Sequence, residues 1–147
     1  MTKIKLGVIG SGGIAQSHLK LLPEFDDVEL TAVCDIVKDR VEQTVRTYGG
    51  NAYTDYREMF EKERLDAVIV CVPPFAHADI EIMAAQRGIH MLVEKPMGLD
   101  LDAVKRTAEA IDRSGVITAT GYSLRYSEVA DRAIERLRGR RAAMIRA

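Results

Sequence analysis

The stretch LGVIGSGGIAQSH, Leu6 to His18, decides the fold of this chain. Its first part alternates apolar residues in the manner of a β-strand, and its last part spaces them as a helix does. Between the two lies a G-x-G-x-x-A pattern formed by Gly10, Gly12 and Ala15. Gly10 permits a tight turn, Gly12 leaves the backbone open to a pyrophosphate, and Ala15 is small enough for close helix packing. The stretch therefore predicts a strand, a phosphate-binding turn and a helix.

The composition is that of a globular protein. The chain has 147 residues, of which 47% are hydrophobic and 29% are charged, so it can build one domain with its own core. A net charge of −1 gives no overall field toward nucleic acid or an anionic membrane. No apolar run approaches the roughly 20 residues of a membrane span, and no signal-peptide pattern is present. We therefore expect a cytoplasmic protein with no nucleic-acid or membrane partner.

Strand-like runs alternate with helical runs along most of the chain. After the opening strand, five more are predicted at VELTAVCD, NAY, LDAVIVCV, IHMLVEKP and VITATGY. Asp55 and Asp100 are candidate helix caps, and Gly49, Gly88 and Gly115 are candidate helix ends. Because each crossover carries a helix, the strands pair in parallel. The fold class is predicted as α/β, with a doubly wound, mostly parallel six-stranded sheet of the Rossmann type.

The last part of the chain departs from this alternation. SEVADRAIERLRGRR, residues 127–141, predicts a helix, and AAMIRA, residues 142–147, predicts a strand that begins without a partner. We therefore expect a dinucleotide-binding domain over residues 1–122 and, over residues 123–147, the linking helix and first strand of a truncated second domain. The arginines of this region alternate with acidic residues, which favours a solvated helix face over a nucleic-acid surface.

Asp35 ends the second predicted strand, at the distance from the glycine turn that is typical of a ribose-binding carboxylate. A carboxylate there accepts hydrogen bonds from both hydroxyls of an adenosine ribose, and it repels a 2′-phosphate. The nearest cations, Lys38 and Arg40, do not follow it directly. The pattern predicts a dinucleotide site that favours NAD over NADP. The alternative for Asp35 is a helix cap.

Three more stretches follow predicted strand ends, where the ligands of open α/β sheets bind. In CVPPFAH, His77 either caps a helix or contacts a cofactor. In EKPMG, Lys95 presents an ammonium that can polarise a carbonyl or hold a hydroxyl; the alternative is a surface pair with Glu94. The bond between Lys95 and Pro96 is a candidate cis peptide. In GYSLRY, Arg125 is a candidate contact to an anion or to another domain.

The two cysteines, Cys34 and Cys71, each lie inside an apolar run. Cysteine in such a run behaves as a small hydrophobic residue, so we expect two buried, reduced thiols. Their number and spacing predict neither a disulfide nor a metal site.

Five stretches together resemble the N-terminal domain of the Gfo/Idh/MocA family, named for glucose–fructose oxidoreductase, inositol dehydrogenase and a rhizopine catabolism protein. They are GVIGSGGIAQSH, CDIVKDR, VPPFAHADI, VEKPMG and GYSLRY, which follow the order and spacing of the family over nearly the whole chain. E-K-P is the most specific of the motifs. The resemblance implies an NAD(P)-dependent oxidoreductase that transfers a hydride between a nicotinamide cofactor and a sugar, polyol or related hydroxyl compound.

The resemblance also implies roles for individual residues. Lys95 would be the catalytic residue of this domain, and with Glu94 it would reach the nicotinamide and the substrate. Asp35 would hold the adenosine ribose. The remaining implied cofactor-binding residues are Gly10, Gly12, Gly13 and Ile14 at the pyrophosphate, and Cys71, Val72, Pro73, Pro74 and His77 along the cofactor.

Ser123 and Pro74 depart from the family pattern, since many members have asparagine at both positions. The second domain of the family carries an Asp/His pair, most substrate contacts and a sheet that usually builds a homo-oligomer. Because these parts have no counterpart in this sequence, we expect the chain alone to bind the cofactor with negligible turnover. Two alternatives are a non-enzymatic nucleotide-binding or regulatory domain and a biliverdin-reductase-like reductase, which shares the E-K-P motif.

Overall fold

The computed structural model describes residues 3–140, which form six strands and six helices in strict alternation up to the last helix. The strands are β1 (Ile4–Ile9), β2 (Val28–Cys34), β3 (Asn51–Tyr53), β4 (Ala67–Val70), β5 (His90–Val93) and β6 (Thr118–Thr120). The helices are α1 (Gly13–Leu21), α2 (Lys38–Tyr48), α3 (Tyr56–Lys62), α4 (Asp79–Gln86), α5 (Leu101–Ser114) and α6 (Glu128–Leu137). Short 3₁₀ turns lie at Leu22–Glu24, Pro74–Ala76 and Ser123–Tyr126.

The six strands form one parallel sheet in the order β3-β2-β1-β4-β5-β6. The predicted doubly wound, parallel six-stranded sheet is therefore confirmed. The chain reverses direction across the sheet between β1 and β4, which lie side by side. Ile9 lies opposite Cys34 of β2 and Val70 of β4, so these three strands end level with one another. This edge is where the ligands of such sheets bind.

Buried side chains alternate between the two faces of the sheet, as the strand period requires. On one face, Val8 and Val33 pack with Leu19 of α1 and Val41 of α2. The other face packs against α3, α4 and part of α5. Helices therefore cover both faces of the sheet, which explains the continuous apolar run around β4.

The predicted helix boundaries are confirmed where a cap defines them. The Asp55 carboxylate accepts the backbone N–H of Arg57 before α3, and that of Asp100 accepts the N–H of Ala103 in α5. Gly115 ends α5 in the left-handed conformation, with φ of 69°. The strand predicted over LDAVIVCV is shorter than expected, because β4 pairs with its neighbours only from Ala67 to Val70.

The region after β6 contributes no buried side chain to the sheet's core. Ser127 caps α6, and the apolar side chains of this helix stay exposed, with 78% of Val129 and 59% of Ile134 accessible. The strand predicted at AAMIRA lies outside the described residues. Within residues 3–140, no helix combines the length and the hydropathy that a membrane crossing requires.

Candidate functional site

A cavity of about 760 Å³ opens at the edge where β1, β2 and β4 end. Many of the predicted cofactor-binding residues line it together: Gly10, Gly12, Gly13, Ile14, Asp35, Cys71, Val72 and Pro73. Four others are absent from its lining: Pro74, His77, Glu94 and Lys95. The structure thus brings the glycine turn, the end of β2 and the loop after β4 around one space.

The glycines of the turn serve two different purposes. Gly10 has a φ of +83°, and a Cβ there would lie 2.5 Å from the carbonyl oxygen of Cys71. Gly10 is therefore required by the fold itself. A Cβ on Gly12 or Gly13 would meet no heavy atom within 4 Å, although both residues line the cavity. Their lack of side chains keeps that space open, which is the arrangement that a ligand close to the backbone needs.

The N-terminus of α1 opens onto the same cavity. Its cap residue is Gly12, no side chain caps the helix, and no acidic residue lies in its first turn. The first backbone N–H groups of a helix have no partner within the helix, and the helix dipole adds a partial positive charge there. These groups can therefore bind a pyrophosphate.

Asp35 is buried, with only 5% of it exposed, and its carboxylate accepts from four hydrogen-bond donors. Its Oδ2 accepts from the backbone N–H and the hydroxyl of Ser11, both at 2.8 Å, and Oδ1 accepts from the Val37 N–H at 2.9 Å. The guanidinium of Arg40 lies 3.2 Å from Oδ2. Burial raises the pKa of Asp35, but the hydrogen bonds from Ser11 and Val37 and the charge of Arg40 outweigh it and lower the pKa. Asp35 is therefore an ionised carboxylate at neutral pH.

Asp35 does not act as the side-chain cap of α2. The cap residue of that helix is Val37, and no side chain caps it. The carboxylate instead ties the end of β2 to the glycine turn through Ser11. The helix-cap alternative is therefore wrong for this residue.

A smaller polar cavity of about 390 Å³ adjoins the first and shares Gly12, Gly13 and Arg40 with it. The side chain of Gln16 on α1 reaches toward α2, and its amide donates to the Ser11 carbonyl at 3.2 Å and to the Thr44 hydroxyl at 3.1 Å. The motif analysis missed the parts played by Ser11, Gln16 and Arg40. Two of them had a sequence signal: Ser11 lies inside the glycine turn, and Arg40 was noted as a cation near Asp35 without being expected to pair with it.

His77 is turned into the protein rather than toward the cavity. Its side chain is 1% exposed, and its Nδ1 lies 2.5 Å from Oε1 of Glu81, which is equally buried. The other oxygen of Glu81 accepts the backbone N–H of Ala78 at 2.6 Å, at the start of α4. The pair therefore fixes the junction between α4 and the loop after β4. Pro74 opens the 3₁₀ turn of that loop, and its neighbour Phe75 lines the cavity.

Lys95 is exposed and is the second residue after the end of β5. Its peptide bond to Pro96 is cis, as predicted. Glu94 does not form the surface pair considered for it, because its carboxylate contacts the His18 ring at 2.9 Å instead of the Lys95 ammonium. The contact to Lys95 is a backbone one, with that N–H 3.3 Å from Glu94 Oε2.

Both cysteines are free thiols, and only Cys34 is fully buried. Cys71 is partly exposed and lines the cavity, so the prediction of two buried thiols is wrong for this residue. Cys71 is the first residue after β4, so it lies at the open edge where the strand ends. Burial raises the pKa of both thiols to about 12, helped by Asp55 and Asp35 at Cys34 and by Glu94 at Cys71.

These pKa values predict slow alkylation of both cysteines in the folded chain. The thiolate is the nucleophile, so iodoacetamide at pH 8 is expected to react at least about 100-fold more slowly than with the unfolded chain. Cys71 should react before Cys34, because Cys71 is partly exposed whereas Cys34 is buried. Peptide mass spectrometry over time measures both rates, with the urea-unfolded chain as control. Labelling of Cys71 at the unfolded rate would contradict the raised pKa.

The glycine turn, the ionised carboxylate at the end of β2 and the sheet order agree with the family comparison. A sequence model of the GFO_IDH_MocA family, described as "Oxidoreductase family, NAD-binding Rossmann fold", matches residues 4–122. The chain belongs to the Gfo/Idh/MocA oxidoreductase family. The predicted resemblance is thereby confirmed, and the residues of the match include the whole sheet.

Sequence relatives in the Gfo/Idh/MocA family include dehydrogenases of a sugar phosphate and of inositol. The chain is 35% identical over 124 residues to myo-inositol 2-dehydrogenase of Thermotoga maritima, covering 84% of this chain and 37% of the relative. It is 32% identical over 122 residues to glucose-6-phosphate 3-dehydrogenase of Bacillus subtilis, covering 83% of this chain and 34% of the relative. The chain thus spans little more than a third of the length of these curated relatives.

Solved structures of dehydrogenases share the fold. The WlbA dehydrogenase of Bordetella pertussis, solved in complex with NADH and UDP-GlcNAcA, superposes with a TM-score of 0.85 at 27% identity. That match covers 92% of this chain and 43% of the other. Myo-inositol 2-dehydrogenase of Lactobacillus plantarum gives a TM-score of 0.85 at 26% identity, covering 93% of this chain and 42% of the other.

The residues around the cavity fit a nicotinamide dinucleotide. The open positions at Gly12 and Gly13 and the uncapped start of α1 suit the pyrophosphate, and the ionised Asp35 suits a ribose diol. Within the described part of the chain, no group of three or more His, Cys, Asp or Glu side chains is placed to hold a metal ion.

Proposed function

We propose that the chain binds NAD(H) in the large cavity, as the cofactor-binding part of a dehydrogenase acting on a sugar, polyol or related hydroxyl compound. The observation that carries the proposal is the uncapped N-terminus of α1 facing a cavity that side chains at Gly12 and Gly13 would fill. The named activities of the relatives support the substrate class. When bound, the nicotinamide supplies the hydride acceptor or donor.

The preference for NAD over NADP rests on Asp35. Its carboxylate is ionised and lines the cavity beside the glycine turn, where it repels a 2′-phosphate. The guanidinium of Arg40, half-exposed and 3.2 Å away, offsets part of that charge. We therefore expect a preference for NADH over NADPH of about ten-fold rather than exclusion of NADPH.

Lys95 is our candidate for the catalytic residue. It stands at the end of β5, one strand beyond β4, whose following residues Cys71 and Val72 line the cavity. An ammonium group there can donate a hydrogen bond to a substrate oxygen and hold or release a proton at Nζ. Glu94, Pro74 and His77 complete this side of the proposed site, with His77 acting through the loop it anchors.

We further propose that residues 1–122 form the cofactor-binding domain and that residues 123–147 lead into a substrate-binding and oligomer-forming part of a cytoplasmic protein. The exposed apolar side chains after β6 support this division. Tyr126 is 79% exposed and Val129 is 78% exposed, whereas the sheet residue Val93 is fully buried. Nothing in the geometry favours a purely regulatory domain, which would not need an ammonium group at the end of β5.

A calorimetric titration with NADH and NADPH tests the proposed function. In the Asp35→Ala variant, NADH affinity is expected to fall about ten-fold or more and the preference over NADPH to disappear. Asp100→Ala is the matched control, since it also removes an aspartate that accepts a backbone N–H, but away from the cavity. Failure of the wild-type chain to bind either dinucleotide would overturn the proposal. Tighter binding of NADPH would overturn the role given to Asp35.

A further inference from the structure

Glu94 does not line the cavity itself, but it directly follows β5, the strand next to β4. Its backbone N–H donates to the carbonyl of Val70 at 2.9 Å, so it stands beside the point where β4 passes into the cavity wall. Cys71, the next residue of that wall, has a pKa raised by burial and by the Glu94 charge. The hydrogen bond to Val70 therefore fixes the Glu94 backbone next to the cavity wall, on its β4–β5 side.

Three groups surround the Glu94 carboxylate, two of them from distant parts of the chain. The Nε2 atom of His18, on α1, lies 2.9 Å from Oε1. A Cβ on Gly121, after β6, would lie 2.8 Å from Cδ and from both oxygens, so the carboxylate rests directly on that glycine. The backbone N–H of Lys95 donates to Oε2 at 3.3 Å. With only 13% of its side chain exposed, Glu94 has little freedom to move away.

His18 supplies the side-chain hydrogen bond in this cluster. The contact is assigned with the hydrogen on Nε2, the ring nitrogen that faces the carboxylate oxygen, which accepts it. Among the hydrogen bonds of residues 3–140, His18 is the one side chain that pairs with Glu94. The contact joins α1, which follows the first strand, to the residue that follows β5.

We propose that His18 is a positioning residue for the nicotinamide half of the site. By donating to Oε1 of Glu94, it holds the carboxylate against the backbone N–H of Lys95 and so orients Lys95 at the end of β5. The inference rests on the proposed function, because it requires a dinucleotide in the cavity. A dinucleotide with its adenosine ribose at Asp35 and its pyrophosphate at Gly12 has its second nucleoside on the β4–β5 side.

The test uses two amide variants of different length on the 147-residue chain. The amide nitrogen of His18→Gln reaches about the position of Nε2, whereas that of His18→Asn falls short of Glu94. Each variant is titrated by calorimetry with NADH and with ADP-ribose, which lacks the nicotinamide. We expect His18→Asn to weaken NADH binding about ten-fold, as for one lost hydrogen bond to a charged group. We expect ADP-ribose binding to change less than about two-fold, and His18→Gln to keep both affinities.

The pattern of affinities decides the outcome. Equal losses for NADH and ADP-ribose in His18→Asn would show a general effect on the fold and would overturn the positioning role. Equal NADH losses in His18→Gln and His18→Asn, or no loss in either, would overturn it as well. If the wild-type chain binds ADP-ribose but not NADH, the positioning role fails while the adenosine part of the proposed function stands. If it binds neither, both fail.

A double-mutant cycle identifies the partner through which His18 acts. In a Glu94→Ala background, His18→Asn should weaken NADH binding less than about two-fold, because the hydrogen bond is already absent. A full ten-fold loss in that background would show that His18 acts through another group, and it would overturn the proposal.

Discussion

Gly10→Ala is expected to destabilise the folded chain by about 3–5 kcal/mol, enough to unfold much of a marginally stable domain. The added Cβ would lie 2.5 Å from the carbonyl oxygen of Cys71 and 2.8 Å from its carbonyl carbon. Both contacts are with backbone at the centre of the sheet, which cannot move aside as a flexible side chain can. The positive φ of +83° adds about 1–2 kcal/mol of strain for any L-residue with a side chain. Urea unfolding followed by circular dichroism measures the loss.

Gly115→Ala is the matched control for this variant. Gly115 also has a positive φ, of +69°, but a Cβ there meets no heavy atom within 4 Å. It should therefore cost only the conformational strain, about 1 kcal/mol. If Gly10→Ala and Gly115→Ala destabilise the chain equally, the contact with Cys71 carries no energy and the explanation is wrong.

Gly12→Val is expected to lower NADH affinity by at least about 100-fold while leaving the fold intact. The backbone of Gly12 is extended, with φ of −71° and ψ of −171°, which a branched residue can adopt. A Cβ there meets no protein atom, so the new side chain projects into the cavity and occupies the space proposed for the pyrophosphate. The loss of a favourable cap residue costs about 1 kcal/mol of stability.

Calorimetric titration and the unfolding midpoint, measured on the same sample, separate binding from folding in this variant. Gly12→Ala is the graded control, and its smaller side chain should give a smaller loss of affinity. Retention of wild-type NADH affinity by Gly12→Val would show that the dinucleotide does not pass over α1, contrary to the proposed function. A large drop in stability would instead show that the space at Gly12 belongs to the fold.

The local patterns of the sequence predicted the elements and the glycine turn correctly. Alternation around Val8 and the glycine at position 10 act over a few residues, so strand, turn and helix can be recognised from neighbouring residues alone. The position of Asp35 near the glycine turn could also be predicted, because one helix and one strand of typical length separate Asp35 from the turn.

The local patterns could not predict contacts between distant parts of the chain. Apolar spacing predicted a helix that includes His18, but the His18 ring pairs with Glu94, 76 positions later. Periodicity reports which face of a helix is apolar and not which side chain of another strand comes to meet it. The burial of His77 against Glu81 could not be predicted from the sequence either, because a helix cap and a cofactor contact both fit the position of His77 in the loop.

The sequence by itself determined the alternation of strands and helices, the parallel pairing and the backbone shape at Gly10, because these depend on local sterics and hydrophobic period. Only the tertiary structure decided which groups meet at the strand ends. It brought Ser11 and Arg40 onto Asp35, and His18 onto Glu94, by setting the strand order and the register of β1 against β2 and β4. Such pairings depend on how the helices pack on the sheet, and that packing is a property of the whole chain.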